Sequence, residues 1–355
     1  MRAMQFQHAP AALVDMSTAL VVTLAAFAVT FAGLWVLLSR FGRRLMLDMP
    51  NERSLHDRPV PRSGGIAIAA GIAAGVAANA AMSAAAVPFV FSVTLGIAGV
   101  LALVSLADDA FTLPTPLRLA AHLGASGVVL GIGTGVADPV LSVLLLLAIA
   151  WSANLYNFMD GSDGLAGGMA VFGFGAYAWA AHQSGHAALT ALSGTVAVAS
   201  FAFLLVNFHP ARLFMGDVGS VPLGFLAGAF GVLGWRDGVW PLWFPPLVFA
   251  PFACDATLTL VKRLLRRERV WQAHKDHYYQ RLVRMGFGHR GVAWIEYAAM
   301  AGCAATALFV RTAEPGNQAG AIGAATAVLV AIAVWVDARW ARWSRAQRNS
   351  GGAPA

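Results

Sequence analysis

DPVLSVLLLLAIAWSANLYNFMD runs from Asp138 to Asp160, with 21 uncharged residues between the two acids. As a helix rising 1.5 Å per residue, about 20 such residues cross the roughly 30 Å hydrocarbon core of a bilayer. The whole chain shares this character. Of its 355 residues, 58% are hydrophobic and 12% are charged, and its mean hydropathy is +0.66. An ordinary soluble protein is about 25% charged, so half the expected charge is missing and too little remains to cover a water-facing surface. That excludes a soluble globule, a disordered chain and a fibrous protein, and leaves the polytopic membrane class.

Outward from this stretch, the charged residues act as punctuation. Uncharged gaps of 24 residues (Asp15 to Arg40), 19 (Arg118 to Asp138) and 18 (Asp217 to Arg236) each hold one span. Gaps of 45 (Arg62 to Asp108) and 48 (Asp163 to Arg212) each hold two, divided near Pro88 and at His182 to His186. Gly238 to Val261 contains only Asp255, Gly291 to Val310 only Glu296, and Pro315 to Val336 no charge. The expectation is an all-α protein of about 11 transmembrane helices forming one domain over residues 1–355. Its first apolar stretch is too long for a signal-peptide core and precedes its Arg cluster, so it is expected to be a retained helix.

Basic residues set orientation. With 11 helices, 21 of the 24 Lys and Arg fall on one side and three on the other. By the positive-inside rule the N-terminus is periplasmic and the C-terminus cytoplasmic. Residues 1–15 become a short outer segment, 262–290 a cytoplasmic loop and 339–355 a cytoplasmic tail. In a membrane chain an excess of +7 sets topology rather than binding nucleic acid. Cys254 and Cys303 lie in apolar stretches and suit small core residues better than a disulfide or zinc site.

The polar residues are sorted as well. Asp108-Asp109 close the third helix, where acids oppose the helix dipole. Two carboxylates there suit Mg²⁺, a hard cation that bridges protein to phosphates. Arg118, nine residues on, is a cation able to hold a phosphate. In NLYNFMDGSDGLAGG, Asn154, Asn157, Asp160 and Asp163 recur every third residue, which roughly aligns them along one helix face. Helix packing explains the Gly pair 167–168 but not buried amides and acids, which are costly in a membrane. MGDVGS, Met215 to Ser220, places Asp217 before the eighth helix, as a helix cap or a metal ligand. HKDHYYQRL, His274 to Leu282, lies in the basic loop, and such a cationic loop suits an anionic nucleotide or lipid headgroups. The first cytoplasmic loop, from Asp48 to Gly65, is turn-rich, and anchoring at the bilayer surface explains its Arg and His equally well.

Together these residues resemble the polyprenyl-phosphate N-acetylhexosamine-1-phosphate transferases, membrane enzymes that start lipid-linked glycan synthesis. The resemblance runs from Asp48 to about Arg290 in family order. It comprises the D-x-P-N and P-R-x-G-G loop, the DD helix end, N-x-x-N-x-x-D-G-x-D-G-L, M-G-D-x-G-S, Asp255 with Thr257, and the His loop. It implies that Asp217 and Asn157 hold Mg²⁺ (or Mn²⁺) on the UDP-sugar pyrophosphate, and that Asp163 and Asp160 lie near the uracil. Asn154, His274, His277 and Arg281 would complete the nucleotide-sugar site. Asp108 and Asp109 would orient or deprotonate undecaprenyl phosphate, and Arg118 would hold that phosphate. His274 stands where many members carry an acid, and Tyr279-Gln280 where they carry a His pair. These departures point away from the muramyl-pentapeptide branch and toward O-antigen or similar polysaccharides, with GlcNAc or a 6-deoxy N-acetylhexosamine as donor sugar. The inner membrane, an active site on its cytoplasmic face and a homodimer are further implications. Two alternatives are a transporter using Asp255 and Glu296 on a translocation path, and a phosphatase acting on polyprenyl pyrophosphate.

Overall fold

The structure, a computed structural model, describes residues 16–39, 47–49, 55, 58–83, 87–269 and 274–349. The expected outer segment 1–15, Pro50-Asn51 of the first loop, residues 270–273 of the basic loop and the last six residues lie outside these.

The chain is an all-α polytopic membrane protein. Its helices are α1 (Met16–Leu37), α2 (Gly64–Met82), α3 (Phe89–Phe111), α4 (Thr115–Gly133), α5 (Pro139–Phe158), α6 (Leu165–Gln183), α7 (Ala187–Asn207) and α8 (Asp217–Arg236). There follow α9 (Phe244–Val248), α10 (Ala250–Leu265), the single turn α11 (Tyr278–Leu282), a π-helical turn at Val283–Phe287, α12 (Gly288–Val310) and α13 (Pro315–Asn349). Between α1 and α2, β1 (Leu47–Asp48) pairs antiparallel with β2 (Val60–Pro61), Asp48 opposite Val60.

Each apolar gap in the sequence is helical, with one interruption. Gly238 to Val261, expected as one span, is divided into α9 and α10 at Phe249. Pro245, Pro246 and Pro251 each lack the N–H that a continuous helix would use. Among the described residues, nine helical stretches are long and apolar enough to cross a membrane. Small and polar residues put α6 below that level, and the break puts α9 and α10 below it.

The helix α8 is the hub. It is buried along nearly its whole length and touches α2, α3, α4, α5, α6 and α9. In lipid, helix association relies on close packing through small residues rather than on hydrophobic expulsion from water. The crossing of α2 and α8 shows why glycine is required. A Cβ on Gly65 would lie 2.3 Å from the Gly219 backbone nitrogen, a distance no side chain could occupy. By contrast α13 exposes most of its surface, as a lipid-facing outer helix would.

This hub gathers the polar motifs. The C-terminal ends of α3 and α5 meet the N-terminal ends of α2, α4, α6, α8 and α12 at one end of the bundle. At the other end, His186, Arg236 and Asp237 form a small ionic cluster. Cys303 is buried and Cys254 half-buried, both as free thiols.

Candidate functional site

The first-loop motif proves to be a brace. Phe214 N–H donates to the Pro61 carbonyl at 2.8 Å, and Gly64 and Gly65 N–H donate to the Phe214 and Met215 carbonyls, both at 2.9 Å. The P-R-x-G-G backbone is thus laced to the M-G-D segment. Gly216 has φ +73°, and a Cβ there would lie 2.7 Å from the Arg62 carbonyl oxygen. Only glycine combines that dihedral with that approach. The brace presents Asp217 at the start of α8 opposite the end of α5.

There Asn157 Nδ2 donates to Asp217 Oδ2 at 3.2 Å, and Ser220 Oγ donates to Asn157 Oδ1 at 3.0 Å. Turning the amide over would put Asn157 Oδ1 against Asp217 and leave Nδ2 to a hydroxyl that also accepts. The pair can therefore present two hard oxygens side by side. Asp160, just beyond α5, accepts the Gly216 N–H. Burial, then the charges of Asp217 and Asp48, holds its carboxyl well above the usual carboxylate range.

The two adjacent acids at the end of α3 have different surroundings. Asp108 Oδ1 accepts the Leu113 N–H at 2.7 Å, and its Oδ2 accepts Arg118 Nη1 at 2.8 Å. Asp109 Oδ1 pairs with Arg62 Nη2 at 2.7 Å, while its Oδ2 is buried with no hydrogen-bond partner. Asp217, Asp108 and Asp48 all act electrostatically on Asp109.

Asp163 anchors the other wall. Its Oδ2 receives His209 Nδ1 at 2.6 Å and Ala211 N at 3.1 Å. His289 Nε2 lies 3.1 Å from the Leu55 carbonyl, so it carries the proton, and Nδ1 accepts the Ser162 hydroxyl at 2.9 Å. The His209 and His289 rings stack with centroids 5.5 Å apart. Asn207 accepts Gly164 N–H and donates to the Leu213 carbonyl, tying the N-terminus of α6 to the segment before α8.

Several of these groups line a cavity of about 370 Å³, within the size range of small-molecule sites. Its walls include Asn157, Asp160, Asp163 and Asp217 from the expected set, together with Asp48, Arg62, Asn207, Gln280 and His289. In the sequence Arg62 stands out only as the Arg of P-R-x-G-G, with no site role, and Asn207 and His289 do not stand out at all, because each reaches the site from a segment distant in the chain.

Other expected residues lie elsewhere. Asn154 sits one turn deeper on α5, bonded to the Ala150 carbonyl and 3.0 Å from His122 Nδ1. Arg118 is held by Asp108 and Thr115 beside the cavity. His277 is buried, with Nδ1 3.0 Å from Asp255 Oδ1, and the Tyr278 and Tyr279 N–H groups also donate to Asp255. Arg281 is buried against Asp337 of α13. The ring of His274 lies 4.9 Å from that of His277. Burial, then the charges of His277 and Arg263, pushes the His274 imidazole down to about 4, so it is neutral at pH 7. Among the residues from His274 to Leu282, only Gln280 reaches the cavity wall. Asp255, which the transporter alternative puts on a translocation path, is instead the fully bonded anchor of α11.

Among the described residues, no three His, Cys, Asp or Glu converge closely enough to form a metal cage. A Mg²⁺ site needs none, because one or two carboxylates plus substrate phosphates and water suffice. Asp217, the Asn157 amide oxygen and the unpartnered Asp109 Oδ2 fit that donor chemistry.

A family model for glycosyl transferase family 4 matches residues 90–234. The decaprenyl-phosphate N-acetylglucosaminephosphotransferase of Mycolicibacterium smegmatis is 31% identical, over 89% of this chain and 87% of that protein. The chain belongs to glycosyl transferase family 4. A probable undecaprenyl-phosphate N-acetylglucosaminyl 1-phosphate transferase of Bacillus subtilis is 28% identical over 69% of this chain and 71% of its own. The undecaprenyl-phosphate alpha-N-acetylglucosaminyl 1-phosphate transferase of Yersinia pestis is 26% identical over 69% and 71%. The family match spans α3 to α8, the helices whose ends supply Asp108, Asp109, Asn157, Asp160, Asp163 and Asp217.

Proposed function

We propose that this phosphosugar transferase moves an N-acetylhexosamine 1-phosphate from a UDP-sugar to undecaprenyl phosphate at the cytoplasmic face of the inner membrane, releasing UMP. The observation that carries this is the acid-lined cavity, walled by Asp160, Asp163 and Asp217 with Asn157 and Arg62, whose guanidinium pairs with Asp109 behind the wall. A polyanionic donor would enter such an acidic cavity with a divalent cation, and the Asp217 carboxylate and Asn157 amide supply hard oxygens suited to one. The named activities of the relatives that cover most of the chain agree with a GlcNAc-type donor.

An oxygen of the lipid phosphate attacks the sugar-bearing phosphorus, forming a new P–O–P bridge. The bond from that phosphorus to the bridging oxygen breaks, and UMP departs with the oxygen and its electron pair. Phosphate monoesters have a second pKa near 6, so the nucleophile is largely ionised at pH 7 and needs positioning more than a strong base. Catalysis then consists mainly of alignment and charge neutralisation. Asp217 and Asn157 would hold the donor's metal, with Asp109, paired to Arg62, as a nearby further oxygen donor. Bound Mg²⁺ supplies charge neutralisation on the pyrophosphate and leaving UMP. Arg118, held beside the cavity by Asp108, meets the lipid phosphate from the membrane side. Asp163, fixed by His209 and Ala211, faces the nucleoside. The pathway assignment, to O-antigen or a similar polysaccharide, rests on the Tyr279-Gln280 departure in the basic loop.

Purified protein in nanodiscs with UDP-GlcNAc, undecaprenyl phosphate and Mg²⁺ should release UMP. Asp217→Ala should lose about 10²–10³-fold in rate, the scale of removing one electrostatic stabiliser. Full activity in EDTA would sink the proposal. A panel of UDP-sugars scored by the same release identifies the donor.

A further inference from the structure

Among the described residues that wall the cavity, four are aspartates and Arg62 is the only Lys or Arg. We infer that Arg62 binds the pyrophosphate of the nucleoside diphosphate donor, an inference that rests on the transferase reading above. Neither the sequence motifs nor the resemblance gives this residue a role.

Its placement is fixed from both sides. Pro61 accepts the Phe214 N–H on one flank, and Gly64 and Gly65 donate to Phe214 and Met215 on the other. The Arg62 carbonyl is packed against Gly216 so closely that a Cβ there would lie 2.7 Å away. The Arg62 main chain is thereby locked to the residue preceding Asp217. Its side chain is 34% exposed and directs Nη2 to Asp109 Oδ1.

A guanidinium carries five N–H donors in a planar fork, and one carboxylate can use two of them at most. The remaining donors suit phosphate oxygens, which arginine recognises by charge-assisted hydrogen bonds. Arg118 cannot fill this role in the cavity, because Asp108 and Thr115 hold it outside the wall. The competing explanation is that Arg62 merely neutralises the buried Asp109. The two explanations differ in what removing Arg62 does to phosphate-bearing and phosphate-free ligands.

Binding of UDP and of uridine to the purified full chain, at fixed Mg²⁺, separates them. Wild type should prefer UDP. Arg62→Ala should weaken UDP roughly 10- to 150-fold, the range for hydrogen bonds to charged groups, while uridine binding stays within about twofold. Arg62→Lys should recover part of the loss, and it serves as the reporter if the alanine variant does not fold. In an Asp109→Asn background, Arg62→Ala should still lower UDP affinity. Equal losses for UDP and uridine, no loss at all, or no further loss in the Asp109→Asn background would overturn the inference. A wild type that binds UDP no better than uridine would be a different failure, that of the transferase reading itself.

Discussion

Asp108 commits both carboxylate oxygens to the α3–α4 turn, where Thr112 closes α3 at φ +53°. Asp109, next to it, leaves one oxygen buried and unpartnered. This difference in surroundings separates their roles. Asp109→Asn should cut UMP release by about 10²–10³-fold, with a stability loss of about 1 kcal/mol from the broken Arg62 ion pair. Asp108→Asn keeps an acceptor for Leu113 but loses the Arg118 ion pair. It should cost about 1 kcal/mol of stability and act on the lipid-phosphate KM more than on kcat. Equal kinetic defects in both variants would contradict the distinction. His274 makes a pH-dependent prediction. Its folded-state value of about 4 lies below the ordinary 6.5, so the unfolded chain binds the extra proton first. The stability gained from a neutral His274 is complete above pH 6.5 and is lost as pH falls from 6.5 toward 4. His274→Asn should flatten the fall in thermal midpoint across that window, and an unchanged slope would show that His274 is not its source.

Two elements hold the cavity walls in place, and the packing of neither is legible in the sequence. The α2–α8 crossing followed from P-R-x-G-G and M-G-D-x-G-S only once the two motifs were seen face to face. A methyl at Gly65 would meet Gly219 backbone at 2.3 Å, and backbone gives way less easily than a flexible side chain. Gly65→Ala should therefore cost about 1–3 kcal/mol and displace Asp217, lowering both thermal midpoint and UMP release. The second element is α13, whose Asp337 receives Lys262 and Arg281. With Asp337 35% exposed and Arg281 buried, Asp337→Asn should cost about 1–2 kcal/mol after allowance for solvent screening. Faster amide exchange over 278–282 would report the loosened turn, and unaltered exchange would exclude this tie. Periodicity and charge gaps located the long helices, since apolar length is a local property. They could not show that His277 and Arg281 turn inward, because Asp255 and Asp337 lie 22 and 56 residues away. Nor could spacing bring Arg62, Asn207 and His289 to one cavity, since only tertiary packing joins their segments. The four acids and amides at the ends of α5 and α8 were legible because polar residues at membrane helix ends are costly without a role.

At the scale of the whole molecule, the acids of the site and most of the basic residues share one end of the bundle. Among the described residues, the opposite end carries fewer charges: Asp138, which caps α5, the His186–Asp237–Arg236 cluster, Arg311, bonded to Gln183 and Ser184, and Glu314. A UDP-sugar is a cytoplasmic metabolite class too polar to cross lipid, so the cavity end must face the cytoplasm if the transferase reading holds. The positive-inside rule demands the same orientation from independent residues, since 21 of the 24 Lys and Arg lie on that side of an 11-span path. The two arguments stand or fall on one measurement. With Cys254 and Cys303 replaced by Ser, single cysteines at Val136 and Gly238 mark one end and cysteines at Thr115 and Arg266 the other. In intact bacterial cells a membrane-impermeant maleimide should label Val136→Cys and Gly238→Cys. Thr115→Cys and Arg266→Cys should react only after permeabilisation. The reverse pattern would put the cavity outside the cell, away from its donor, and would refute the proposed activity along with the topology. Labelling of both ends in intact cells would show that the path crosses the membrane differently from the helix order assigned here.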